Sequence, residues 1–285
     1  MVEGLRELGI EVRIETGRVE ALPADANEVV ALVELARGAG FSVAPTLPAE
    51  ARAHERLVQV STEKLNEVRE LLPQDLMAVV GAGVTVSELE ERAANQDLCW
   101  PPAAFFEPSE ALGDIYSGLS GNWTVEGNIA RRYLLALDAV MADGAVLHAG
   151  ARTVKSVSGY DLKQLFVGSR GTLGIIVSLT LRLDSLANRE VVLERYRSDF
   201  AGLTAAADSR KPDSGGTRDS GVPQGSSATP DSSVRRGSDV TRDSRTTRTP
   251  PVGARGSVAV LERLKRELDP DGVLLSLGDA FPGGV

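Results

Sequence analysis

An α+β fold built partly from α/β-type units is what this sequence predicts, and three stretches predict it. The first is an opening strand–helix–strand: apolar residues at Val12–Ile14 and Val19–Leu22, a break at Pro23, then a capped amphipathic run from Asp25. The second is a pair of apolar runs, Leu134–Met141 and Ala145–Ala149, joined at Asp143-Gly144, a strong hairpin signal. The third is Ile175–Leu183, where Ile175, Val177, Leu179, Leu181 and Leu183 alternate with Ile176, Ser178, Thr180 and Arg182, the period of a strand.

In chain order, Asp25 with Glu28 three residues on forms a capping-box pattern. Val29, Leu32, Val33 and Ala36 make the apolar stripe of that helix, and Gly38 and Gly40 supply its stop. Phe41–Ala44 reads as a strand, Leu57–Val60 as another, and Thr62–Leu72 as a short helix ending before Pro73. Leu76–Val80 is a further strand, followed by Gly81-Ala82-Gly83, for which close packing is an adequate reading. Ser87 with Glu90 forms a second capping-box pattern and starts a helix through about Ala94. Tyr160–Val167 predicts a short helix and Glu190–Tyr196 a last strand. Residues 207–257 contain no aromatic residue and no Glu, Leu or Ile, so they predict a disordered linker that cannot offset its ordering entropy. Its nine Lys/Arg against six Asp between Ala207 and Gly256 describe a solvated tether, not a basic arm. In the tail, Val260, Leu261, Leu264 and Leu268 predict a helical stripe.

The chemistry concentrates between Lys155 and Leu183. Gly168, Gly171 and Gly174 recur at a three-residue spacing, which strips side chains from the loop before the Ile175 strand. Gly168, Ser169 and Thr172 are its expected donors to a planar or anionic ligand, and an ordinary tight connection is the alternative. The wider string VKSVSGYDLKQLFVGSRGTLGIIVSLTLRL resembles the end of the FAD-binding domain in FAD-linked oxidases of the vanillyl-alcohol oxidase / p-cresol methylhydroxylase (PCMH) type, and most of all the glycolate oxidase FAD-binding subunits. The resemblance spans roughly the first two-thirds of the chain and is strongest over about Leu112–Leu183.

That resemblance implies a PCMH-type FAD-binding domain over 1–206, with subdomains at about 1–72 and 73–206 and the cap domain missing or replaced by the 207–257 linker. It implies a C-terminal helix and tail, 258–285, packing back on the FAD domain through Leu268-Asp269-Pro270-Asp271-Gly272-Val273-Leu274. It carries FAD contacts onto Gly113, Ser117, Gly118, Gly121, Gly159, Gly168, Ser169, Gly171, Thr172, Gly174 and Ile175, with Ile175 and Ile176 as an apolar wall. Two positions depart from the pattern. Where a glycine-rich loop is expected, the chain reads Pro45-Thr46-Leu47-Pro48-Ala49-Glu50, a poor phosphate cradle, and Asp114 stands where a second glycine is expected beside a diphosphate.

The function implied is an FAD-dependent oxidoreductase subunit acting on the CH–OH of small 2-hydroxy acids, beside a larger catalytic flavoprotein subunit and an iron–sulfur subunit. The alternative is a non-catalytic scaffold subunit that keeps the fold without FAD. No catalytic base is assigned. His54 and His148 are the only histidines, and no spacing suggests a metal site. A net charge of −9 argues against nucleic acid, and the single Cys99 excludes an internal disulfide framework. No apolar run has membrane-spanning length, so the expected location is cytoplasmic, with membrane association only through a complex.

Overall fold

The computed structural model describes residues 1–15, 18–45, 56–120, 129–151, 161–208 and 262–274. Gly121, Gly159, Tyr160, His54, the 46–50 stretch and nearly all of the expected linker lie outside the described residues.

After a short helix α1 (Val2–Glu7), strands β1 (Glu11–Glu15) and β2 (Arg18–Leu22) pair antiparallel. Helix α2 (Ala26–Ala39) then carries the chain to β3 (Ser42–Pro45). Its expected cap is present: the Glu28 N–H donates to Asp25 Oδ1 at 2.9 Å, and Glu28 Oε2 accepts from the Ala24 N–H at 2.8 Å. Val29, Leu32, Val33 and Ala36 are buried, and the helix stops at Gly40 in the left-handed conformation. With β4 (Leu57–Val60), these strands form a mixed sheet in the order β1-β2-β4-β3, its β2–β4 and β3–β4 pairs parallel.

The second sheet, β5-β6-β10-β8-β9, is antiparallel throughout. It comprises β5 (Val68–Leu72), β6 (Met77–Gly81), β8 (Leu134–Val140), β9 (Val146–Gly150) and, at its centre, β10 (Ile175–Arg182). The Asp143-Gly144 hairpin joins β8 to β9 as expected, with Gly144 at φ +86°. Every residue of β10 from Ile175 to Leu181 is buried, so Ser178 and Thr180 are enclosed along with the apolar positions. A central strand covered on both faces loses the solvent side that its alternation implies. Two short strands, β7 (Leu98–Cys99) and β11 (Asp184–Ser185), pair beside it. Helices α3 (Val86–Ala94), α4 (Leu112–Ser117), α5 (Lys163–Phe166) and α6 (Arg189–Asp208) complete this half.

Several expectations are corrected here. Thr62–Leu72 is not a helix: it is a turn closed by Leu65 N–H on Thr62 O at 2.8 Å, followed by β5. The missing side chains at Gly81 and Gly83 let that turn lie directly on β6, and both glycine N–H groups bond to it. Tertiary pairing there overrides a helix-compatible spacing. Helix α3 starts two residues earlier than expected, on the capping box Thr85/Glu88. Glu90 is otherwise engaged, accepting from the Trp100 N–H at 2.6 Å and pairing with Arg189 at 2.7 Å. Glu190–Tyr196 is helical, with Leu193 buried and Tyr196 packed on Tyr133, while Val191 is 73% exposed. Residues 262–268 are helical, with Leu264 half-buried and Leu268 exposed, while Val260 and Leu261 of the expected stripe lie outside the described residues.

The tail holds on by a different device. Asp269 Oδ1 accepts from Val273 N–H at 2.7 Å and Oδ2 from Leu274 N–H at 2.9 Å, and Lys265 Nζ pairs with Oδ2 while donating to Leu274 O. The folded turn delivers Val273 O to the Val43 N–H at 2.5 Å, and Leu274 forms a parallel bridge to Val43. Arg37 of α2 adds an ion pair to Asp271 at 3.4 Å.

Candidate functional site

Three segments converge at one place: the C-terminal end of β3 at Pro45, the end of α4, and residues 168–174 entering β10. Helix α4 is seated by Gly113 N–H on Ala82 O at 2.7 Å and Leu112 N–H on Val84 O at 2.9 Å. A Cβ at Gly113 would lie 2.7 Å from Ala82 Cβ, so its bare Cα serves this close seat. The helix ends on Gly118 at φ +79°, whose Cβ position would fall 2.8 Å from Gly168 Cα. The two glycines thus stand main chain against main chain. Gly168 N–H donates to Tyr116 O and Arg170 N–H to Ser117 O, each at 2.8 Å, which zips the two segments together. Gly171 abuts the Pro45 ring, and a Cβ at Gly174 would come 3.0 Å from Phe166 Cε1 and Val140 O.

The structure therefore brings together Gly113, Ser117, Gly118, Gly168, Ser169, Gly171, Thr172, Gly174 and Ile175, all buried except the half-buried Gly168. It also changes which of them have donors to offer. The N–H groups of Gly168, Ser169 and Thr172 are taken by Tyr116 O, Phe166 O and Ser169 O, and the Thr172 hydroxyl also binds Ser169 O at 2.7 Å. The expected donors at Gly168 and Thr172 are thus spent on shaping the loop. The N–H groups of Gly171, Leu173 and Gly174, with the hydroxyls of Ser117 and Ser169, have no hydrogen-bond partner among the described residues.

Charge surrounds this donor set unevenly. Arg131 Nη2 donates to Val167 O at 2.9 Å and Nη1 to Gln164 Oε1 at 3.3 Å, anchoring the guanidinium beside the loop; burial lowers its pKa. The neighbouring Arg132 lies over the Tyr196 ring at 5.6 Å. Arg170, which the sequence reading passed over, sits inside the loop at φ +52°, half-buried, its pKa also lowered by burial. Its signal in the sequence was its place between Gly168 and Gly171, a frame of left-handed positions. Opposite in sign, Asp114 on α4 is held up at about 6 by burial and by the neighbouring Glu110. Glu110 in turn accepts from the Ser120 hydroxyl at 2.7 Å. His148 is on the exposed β9 hairpin, 2.7 Å from Asp138, and away from this convergence. Among the described residues no cluster suited to a metal ion is found.

Residues 18–150 match the family described as FAD binding domain. This stretch is similar to the FAD-binding domains of FAD-linked oxidoreductases. Among similar proteins, a D-lactate dehydrogenase of Archaeoglobus fulgidus is 35% identical over 170 residues, covering 56% of this chain and 37% of the relative. A D-2-hydroxyglutarate dehydrogenase of Stutzerimonas stutzeri is 30% identical, covering 64% and 40%. The glycolate oxidase subunit GlcD of Bacillus subtilis is 32% identical, covering 50% and 31%. The chain thus spans less than half the length of each of these relatives. The resemblance read from Lys155–Leu183 is borne out by these matches. N–H groups at Gly171, Leu173 and Gly174 that have no partner among the described residues fit FAD, a ligand rich in acceptors.

Proposed function

We propose that this chain is the FAD-binding part of an oxidoreductase acting on the CH–OH group of small 2-hydroxy acids. The observation that carries the reading is the 168–174 loop, fastened to α4 by its own hydrogen bonds while the Gly171, Leu173 and Gly174 N–H groups have no partner among the described residues. The residues holding the cofactor are Gly113, Ser117, Gly118, Gly121, Gly159, Gly168, Ser169, Gly171, Thr172, Gly174 and Ile175. In this division Gly113, Gly118, Gly168 and Gly174 shape the cradle, and Gly171 with the Ser117 and Ser169 hydroxyls donates. Bound FAD supplies the electron acceptor, and the protein supplies position and charge. The names of the relatives, a D-lactate dehydrogenase and a glycolate oxidase subunit, support the substrate class.

The likeness to a glycolate oxidase subunit supports reading the chain as one subunit of a complex. A larger catalytic flavoprotein subunit and an iron–sulfur subunit are the proposed partners, in the cytoplasm or in a complex at a membrane. Among the described residues no helix is long and apolar enough to cross one. Residues 207–257 are proposed as the tether between the domain and its tail, on composition. The purified chain is expected to be yellow, with close to one FAD per chain released on denaturation. A second reading, a scaffold that keeps the fold without FAD, is favoured by the Asp114 carboxylate beside the loop. A colourless chain that takes up no added FAD yet co-purifies with a larger flavoprotein would establish that second reading instead.

A further inference from the structure

Strand β3 is four residues long and has one partner in its own sheet, β4, on one side. Its other side is filled from the far end of the chain. Val43 N–H donates to Val273 O at 2.5 Å, Leu274 bridges to Val43, and the Ser42 hydroxyl donates to Gly272 O at 3.2 Å. Val273 and Leu274 are each 2% exposed and belong to the apolar core, so the tail is seated in the fold and not laid on its surface. A short strand with a single neighbour opens easily, and the tail is the second neighbour that holds this one.

β3 ends on Pro45, which is buried against Gly171. A Cβ on Gly171 would fall 2.2 Å from Pro45 Cδ, and Gly171 is at φ +77°, so only glycine lets the ring come this close. Gly171 is also the first residue of the 168–174 loop whose N–H has no partner among the described residues. The loop is fixed from two directions. Hydrogen bonds from the Gly168 and Arg170 N–H groups tie its start to α4, within the second sheet's half. At Gly171 the restraint is the Pro45 ring, lent by the first sheet. Arg37 adds a parallel link, pairing with Asp271 of the tail at 3.4 Å and donating to Asp143 O of the β8–β9 hairpin at 3.5 Å. Tail, β3 and loop form one continuous line of contacts that ends at a donor of the cofactor site.

We propose that Pro45 is a positioning residue of the cofactor site and that the docked tail holds it in place, so that FAD affinity depends on tail docking. The proposal rests on the FAD reading above. Two binding events coupled in this way respond reciprocally: releasing the tail weakens FAD, and FAD secures the tail by the same factor.

The test is FAD titration of the full-length apoprotein, by flavin fluorescence and well below the Tm of each variant. Leu274→Asp and Asp269→Ala release the tail from opposite ends of its turn and leave the body of the protein untouched; limited proteolysis at 262–274 reports the release. Both are expected to weaken the FAD Kd about five- to fiftyfold. Pro45→Ala is expected to weaken FAD while its tail stays docked. In the Pro45→Ala background, adding Leu274→Asp is expected to change the FAD Kd no further, a non-additivity that a merely structural role would not produce. FAD is expected to slow cleavage of the tail in the wild type and to lose that effect in Pro45→Ala. A cleavable tail with FAD affinity within about twofold of the wild type would overturn the proposal. So would an equal loss of affinity on tail release with and without the Pro45 ring. A wild-type chain that binds no FAD would sink the FAD reading itself, and the proposal with it.

Discussion

Asp114 carries a cost that its neighbours increase. Its carboxyl titrates near 6 in the fold against 3.8 unperturbed, through burial first and Glu110 second. A raised carboxyl pKa means that folding favours the protonated form, so the penalty is absent below about pH 4 and complete above about pH 6. Asp114→Asn is therefore expected to raise stability at pH 7 by about 2–3 kcal/mol. That advantage should shrink to nothing as pH falls to about 4, which thermal melts across the range would read directly. At Gly118 the opposite holds. Gly118→Ala adds a methyl 2.8 Å from Gly168 Cα at a φ of +79°, and is expected to cost about 2–4 kcal/mol and to loosen the 168–174 loop, measured by denaturant unfolding and proteolysis. Cys99 is buried, its thiol pushed up to about 11, so it should alkylate only on unfolding. Of these features the sequence shows Asp114 as the acid at a glycine's place. It does not show the burial that raises its pKa, nor the φ that makes Arg170 unusual, because both follow from contacts distant in the chain.

The elements that read well are those whose signals are local. The Asp25/Glu28 cap, the α2 stripe, the Asp143-Gly144 hairpin and β10 need only neighbours in sequence to be recognised, and each forms as expected. The misread elements are decided by distant partners. β5 exists because β6 pairs with it and because Gly81 and Gly83 admit the 62–65 turn. The 190–196 stretch is β-branched enough to suggest a strand, but Leu193 and Tyr196 fall on one helical face against the second sheet's flank. In the tail, Val273 and Leu274 are buried, and a polar cluster centred on Asp269, which no local pattern announces, folds the turn that delivers them. Asp269→Ala removes the acceptor for two N–H groups and leaves Lys265 half-buried without its carboxylate. It is expected to cost about 2–4 kcal/mol and to make the 262–274 segment the first site of proteolysis.

On the scale of the whole chain, the site belongs to the contact between two sheets. Pro45 at the end of the first sheet's β3 meets Gly171 ahead of the second sheet's β10, and the Asp143 O and Gly144 turn meets Arg37 and Glu34 of α2. The sequence makes the family recognisable through the second sheet, whose loop has a strong pattern, and leaves the first sheet's contribution nearly silent, because 45–50 departs from that pattern. On composition, deleting residues 209–257 is expected to shift Tm by no more than about 2 °C, since so little apolar surface is available there to bury. The tail has one more effect, which reaches outside the molecule. β3 is an outer strand, and the Val273–Leu274 backbone occupies its open side. A chain cut short before residue 262 would present Ser42–Pro45 as a bare template for strand pairing, and should form oligomers or precipitate as its concentration rises while the intact chain stays dispersed.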